Sequence, residues 1–74
     1  MKVKTFESKL YSKNPIQLKC YLTSLKISKS SIVDSLRDAE CFKEEDESLT
    51  LLQLCHKYAE EIKDIIFEMF IYNN

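Results

Sequence analysis

Apolar residues recur at helical spacing along most of this 74-residue chain. Near the start, Val3, Phe6 and Leu10 fit one helix face, while Lys2-Val3-Lys4-Thr5-Phe6 also alternates like a short strand. Residues 1–13 are read as an N-terminal arm, helical or irregular. Asn14-Pro15-Ile16-Gln17 is a helix start. Asn caps, proline at the first helical position gives up no useful N–H, and a glutamine three residues after the cap reaches back to it. Leu18, Tyr21, Leu22 and Leu25 then share a face, and a first helix is expected over 14–27.

Ser28-Lys29-Ser30-Ser31 interrupts the pattern. Ser31 with Asp34 has the form of a capping box, and Ile32, Val33, Leu36 and Ala39 give a second helix over 30–42, with Phe42 near its end. Lys43-Glu44-Glu45-Asp46-Glu47-Ser48 reads as a solvated polar link whose acids favour the N-terminus of a third helix, over 46–72. Along that helix Leu52, Cys55, Ala59, Ile62, Ile66 and Met69 alternate steps of three and four, the seam of a helix pair, and Leu51, Tyr58 and Ile65 widen it. At about 100° per residue, Phe67 and Ile71 fall among the acids Glu60 and Asp64. Residues 65–72 are therefore apolar nearly all round, which requires cover from several sides. Either the arm or a second subunit must supply it. The expected fold is all-α: a small single-domain three-helix bundle with an N-terminal arm, self-associating as a homodimer.

Composition agrees with helices. There is no glycine and a single proline, so tight hairpin turns are scarce and glycine-rich phosphate loops are excluded. A hydrophobic share of 45% against 31% charged suits a folded chain rather than a disordered one. At this length only about 60% of the unfolded surface is buried on folding, which again favours a partner or a second copy. The abundance of Lys, Ile, Asn, Phe and Tyr suits an AT-rich genome, such as that of a low-GC bacterium, its phage, or a virus. No apolar stretch has the length of a signal-peptide core or of a membrane span. Three cysteines without close spacing (Cys20, Cys41, Cys55) read as reduced thiols, and the expected location is the cytoplasm, of a bacterium or of a host cell.

Candidate chemistry is sparse. His56 is the one histidine, and its neighbour Cys55 diverges from it on a helix, so a Cys–His pair would need Cys20 or Cys41. Zinc held by Cys20, Cys41, Cys55 and His56 would draw on three helices without the close pairs structural sites use. Glu60 and Asp64, one turn apart, read as solvating charges. The chain is therefore taken as a non-enzyme, with no cofactor, no metal, no small-molecule substrate and no membrane contact.

Charge changes the picture most. Residues 1–30 hold seven lysines against Glu7 alone, whereas residues 31–74 hold eleven acids against Arg37, Lys43, Lys57 and Lys63. Two partner surfaces follow. The basic one comprises Lys2, Lys4, Lys9, Lys13, Lys19, Lys26 and Lys29, suited to an acidic protein, a nucleic-acid backbone or the chain's own acidic half. The apolar one comprises Phe67, Phe70, Ile71 and Tyr72, suited to a partner or a dimer interface. A helix-turn-helix reading is opposed by Asp34, Asp38 and Glu40 on the second helix, which phosphates would repel. The order strand, helix, Lys26-Ile27-Ser28-Lys29-Ser30 turn, helix, with the phrase Ile27-Ser28-Lys29-Ser30-Ser31-Ile32-Val33, resembles the ribbon-helix-helix family over residues 2–42. That resemblance implies a dimer whose paired strands enter the major groove, with Lys2, Lys4 and Phe6 facing bases and the capped start of the second helix anchoring phosphate. The function expected first is a small binding protein that modulates or inhibits a larger macromolecule through protein–protein contact. A dimeric DNA-binding regulator and a structural subunit of an assembly are the alternatives.

Overall fold

In the computed structural model the described residues are 3–72, and every regular element among them is helical. Five α-helices follow in order: α1 Val3–Tyr11, α2 Pro15–Ser24, α3 Lys29–Asp38, α4 Leu51–Lys57 and α5 Ala59–Tyr72. A 3-10 turn of helix, Glu44–Ser48, links α3 to α4.

Helix α2 starts as its sequence dictates. Asn14 Oδ1 accepts from the Gln17 amide at 2.8 Å, and Gln17 Oε1 accepts from the Asn14 amide at 2.9 Å. The next cap lies earlier than the Ser31–Asp34 pattern implies. Ser28 is extended (φ −83°, ψ 163°) and its hydroxyl accepts from the Ser31 amide, so Lys29, Ser30 and Ser31 form the first turn of α3. Both α2 and α3 end in Schellman turns. At the first, the Lys26 amide donates to the Thr23 carbonyl and that of Ile27 to Leu22; at the second, Glu40 donates to Arg37 and Cys41 to Leu36. The residue after each cap must turn left-handed, and with no glycine in the chain Lys26 (φ 60°) and Glu40 (φ 59°) do so.

The expected third helix is two helices. The chain leaves α-geometry at Tyr58 (φ −113°, ψ 32°). Helix α4 begins at a capping box, with Thr50 accepting from the Gln53 amide at 3.2 Å and Gln53 from the Thr50 amide at 2.8 Å. The acidic link is not merely solvated either. Asp46 is only 6% exposed. Its carboxylate accepts from the Tyr58 hydroxyl and from Lys57 Nζ (2.9 Å to Oδ1, 2.7 Å to Oδ2), while the Lys43 amide donates to the Tyr58 oxygen at 3.2 Å. Glu44 and Glu47 fold back on Arg37.

The buried stripe differs from the expected seam. Leu54, Cys55 and Tyr58 are buried ahead of Ile62 and Ile66, whereas Leu52 is half-buried and Met69 exposed, contrary to an unbroken seam. Helix α5 lies against all four other helices, and α2 packs chiefly on α4. The core takes Phe6 and Leu10 from α1, Leu18 and Leu22 from α2, and Ile32, Val33 and Leu36 from α3. Of the two forms read for the arm, helical or irregular, Val3–Tyr11 takes the helical one, and it is packed on the core through Phe6 and Leu10. The strand that the ribbon-helix-helix resemblance requires is absent among the described residues.

A left-handed non-glycine residue costs on the order of 1 kcal/mol. Lys26→Gly and Glu40→Gly should therefore each raise unfolding stability by about that amount in urea titrations. Unchanged or lowered stability for both would show that these turns are not where the chain carries strain.

Candidate functional site

The lysines of the basic half do not all stand free. Lys4 and Lys9 on α1, Lys19 on α2 and Lys26 in the α2–α3 turn are exposed and make no ion pair among the described residues. Lys13 sits over the Tyr21 ring, 4.9 Å from its centroid, and Lys29 Nζ donates to the Glu47 carbonyl at 2.6 Å. Lys2 lies outside the described residues.

The apolar set divides in the same way. Phe70 stacks on Phe6 with centroids 4.0 Å apart, and Phe67 packs against Phe6 at 6.2 Å and Tyr11 at 6.1 Å. Helix α1 therefore supplies the cover that these two rings need. Ile71 and Tyr72 remain 42% and 83% exposed. Two polar ties hold α1 in place. The Tyr11 hydroxyl donates to Asp64 Oδ1, and the buried Lys63 donates to the Tyr11 carbonyl at 3.1 Å. That carbonyl ends α1, where a cation satisfies an orphan acceptor and the negative end of the helix dipole.

A groove of about 760 Å³ opens between α3 and α5. Ser35, Asp38, Ala39 and Cys41 form one side. On α5, Ile65, Met69 and Tyr72 form an apolar strip beside a row of acids, Glu61, Asp64 and Glu68. None of the lining side chains is cationic. Asp38, Glu61 and Glu68 make no ion pair among the described residues, so the rim is electronegative. Burial, and then the Glu61 charge, raise the Cys41 pKa, which keeps it a thiol and a poor nucleophile. Burial does the same to Cys55. Sequence spacing shows the α5 half of this groove but not Asp38 or Ala39, which only the crossing of α3 over α5 brings to it.

The one arginine is committed. Arg37 makes a two-pronged bond to Glu44 (2.9 and 2.7 Å), reaches Glu47 at 3.0 Å and lies over Phe42. Its hydrogen bond holds Glu44 below the usual carboxylate range. Hydrogen bonds from Lys57 and then Tyr58 do the same for Asp46. Among the described residues, no group of three or more His, Cys, Asp or Glu side chains is placed to hold a metal ion. No described helix is long and apolar enough to cross a membrane.

Compared with known proteins, the chain matches no family model, no curated protein and no solved structure.

Two tyrosines report on this arrangement. Burial, and then the bond to Asp64, raise the Tyr11 pKa; burial, and then the bond to Asp46, raise that of Tyr58. A raised folded-state pKa adds stability that is complete below the unfolded value of about 10 and lost as pH rises through the folded one. In a spectrophotometric titration compared with the Tyr11→Phe and Tyr58→Phe variants, Tyr11 and Tyr58 should ionise late, together with alkaline loss of helix. Ionisation of both near the ordinary value of about 10 with the fold intact would contradict the placement of both hydroxyls.

Proposed function

We propose that this chain is a small, non-enzymatic, cytoplasmic binding protein that modulates or inhibits a larger macromolecule through protein–protein contact. The observation that carries this reading is the α3–α5 groove. Once α1 has covered Phe67 and Phe70, the large apolar side chains left open on α5 gather at its last turns: Met69 and Ile71 at 42% and Tyr72 at 83% exposure. Of these, Met69 and Tyr72 line the groove; apolar and aromatic side chains beside a charged rim are the material of protein interfaces.

A nucleic-acid backbone is the second reading, favoured by the unpaired Lys4, Lys9, Lys19 and Lys26. Three observations weigh against it. Val3–Phe6 is helical rather than a groove-entering strand, Arg37 is engaged by Glu44 and Glu47, and the groove presents carboxylates that would repel phosphate.

A mobility-shift titration with random-sequence duplex DNA over a series of salt concentrations separates the two readings. No retardation is expected at physiological salt. Retardation there that weakens steeply as salt rises and disappears in a Lys4→Glu, Lys19→Glu variant would replace the protein-binding reading with the nucleic-acid one.

A further inference from the structure

We infer that the α3–α5 groove takes a basic amphipathic helix of a partner protein, about three turns long; this rests on the protein-binding reading above. The length follows from α5. Glu61 to Tyr72 spans about 17 Å at 1.5 Å per residue, or three turns. Over that span the lining residues form two parallel rows. Ile65, Met69 and Tyr72 recur at steps of four and three, and Glu61, Asp64 and Glu68 at steps of three and four. A helix seated there would set an apolar stripe against the first row, and lysines or arginines flanking the stripe against the second row and Asp38.

The charge balance selects this occupant. Three carboxylates of the rim, Asp38, Glu61 and Glu68, have no cationic partner among the described residues, and Tyr11 holds the fourth, Asp64, in position. Covering the groove with an apolar or acidic body would desolvate those charges without compensation, which is costly. A basic flank removes that cost and speeds encounter. The α5 wall and the Ser35 and Asp38 positions of the other wall are helical, and no sheet edge exists among the described residues, so an added strand has nothing to pair with. A second copy fits less well. Most apolar side chains of its lysine-bearing helices are already used inside the fold, Phe6 and Leu10 on α1 and Leu18 and Leu22 on α2. What α2 leaves exposed is Ile16 near its start and Leu25 at its cap, about two and a half helical turns apart rather than a continuous stripe.

Fluorescence anisotropy with the full chain and three labelled synthetic peptides tests this. The first is a three-turn helix with leucines at i, i+3, i+4 and i+7 and lysines on its flanks. The second has the same composition, shuffled to break the stripe, and the third keeps the leucines but carries glutamates. At physiological salt the first should bind with a micromolar Kd, about tenfold or more tighter than the second, and the third should not bind. The double variant Glu61→Lys, Glu68→Lys, both at exposed positions of α5, should weaken the first peptide by about tenfold or more with helix content retained. The single variant Met69→Ser should weaken it without changing charge.

Equal binding of the first two peptides, or full binding by the charge-reversed variant, would overturn the inference. So would failure of the first peptide to bind. Concentration-dependent dimerisation in light scattering, abolished by Met69→Ser, would replace the partner helix with a second copy. Failure of the peptide with no DNA retardation leaves a protein-binding chain with its interface elsewhere, whereas failure with DNA retardation removes both readings.

Discussion

The buried carboxylate of Asp46 organises the acidic half of this molecule. A charge placed at 6% exposure must be met by donors, and here the Tyr58 hydroxyl and Lys57 ammonium meet it. Those donors sit where the chain leaves α4 and enters α5. The ion pair therefore ties the 3-10 turn to the break in the helix. The buried residues Leu54, Tyr58, Ile62 and Ile66 keep steps of four through the break, and α5 beyond it lies against α1, α2, α3 and α4 together. Removing either donor would leave the carboxylate short of a partner in a place water reaches poorly, so the bend and the burial depend on each other.

What α5 exposes is the remainder after that packing. Helix α1 takes one side, with the Phe6–Phe70 stack and the Tyr11–Asp64 and Lys63–Tyr11 bonds. Helix α3 takes another. The α3–α5 groove is the strip that neither fully covers, and it inherits its character from both: a line of apolar side chains from α5 and carboxylates from both helices. The division of charge along the chain is partly consumed inside the fold, by Lys29 on the Glu47 carbonyl and by Arg37 on Glu44 and Glu47. Lys4, Lys9, Lys19 and Lys26 in the basic half, and Asp38, Glu61 and Glu68 on the groove rim, are among the exposed charges left without an ion pair among the described residues.

Local signals are legible where a motif is self-contained. The Asn14–Gln17 capping box forms as its spacing requires, and the all-helical class follows from composition and period. Signals decided by competition are not. Ser28 and Ser31 are both good caps, and the choice fell to Ser28. Thr50 and Gln53 form a capping box that the acidic run before them overshadowed. The break at Tyr58 has no glycine or proline to announce it; the residue that leaves α-geometry there donates its hydroxyl to Asp46, twelve residues away. The apolar surround of residues 65–72 shows that the rings of Phe67 and Phe70 need cover, but that α1 rather than a second subunit supplies it is a tertiary fact. The groove is least legible of all, because Asp38 and Glu61 meet only through the crossing of two helices.

The role of Asp46 is open to direct observation through its side-chain carboxyl carbon, followed by NMR across an acid titration. Because Lys57 and Tyr58 stabilise the carboxylate, its midpoint should lie below the ordinary aspartate value of about 3.9. The linked stability is then complete above that value and lost as pH falls through the lowered midpoint. In Tyr58→Phe the midpoint should move back toward the ordinary value, with weakened protection of the α4–α5 amides from hydrogen exchange. An Asp46 midpoint at the ordinary value, unchanged in Tyr58→Phe, would mean that the carboxylate is solvated and that something else bends the helix.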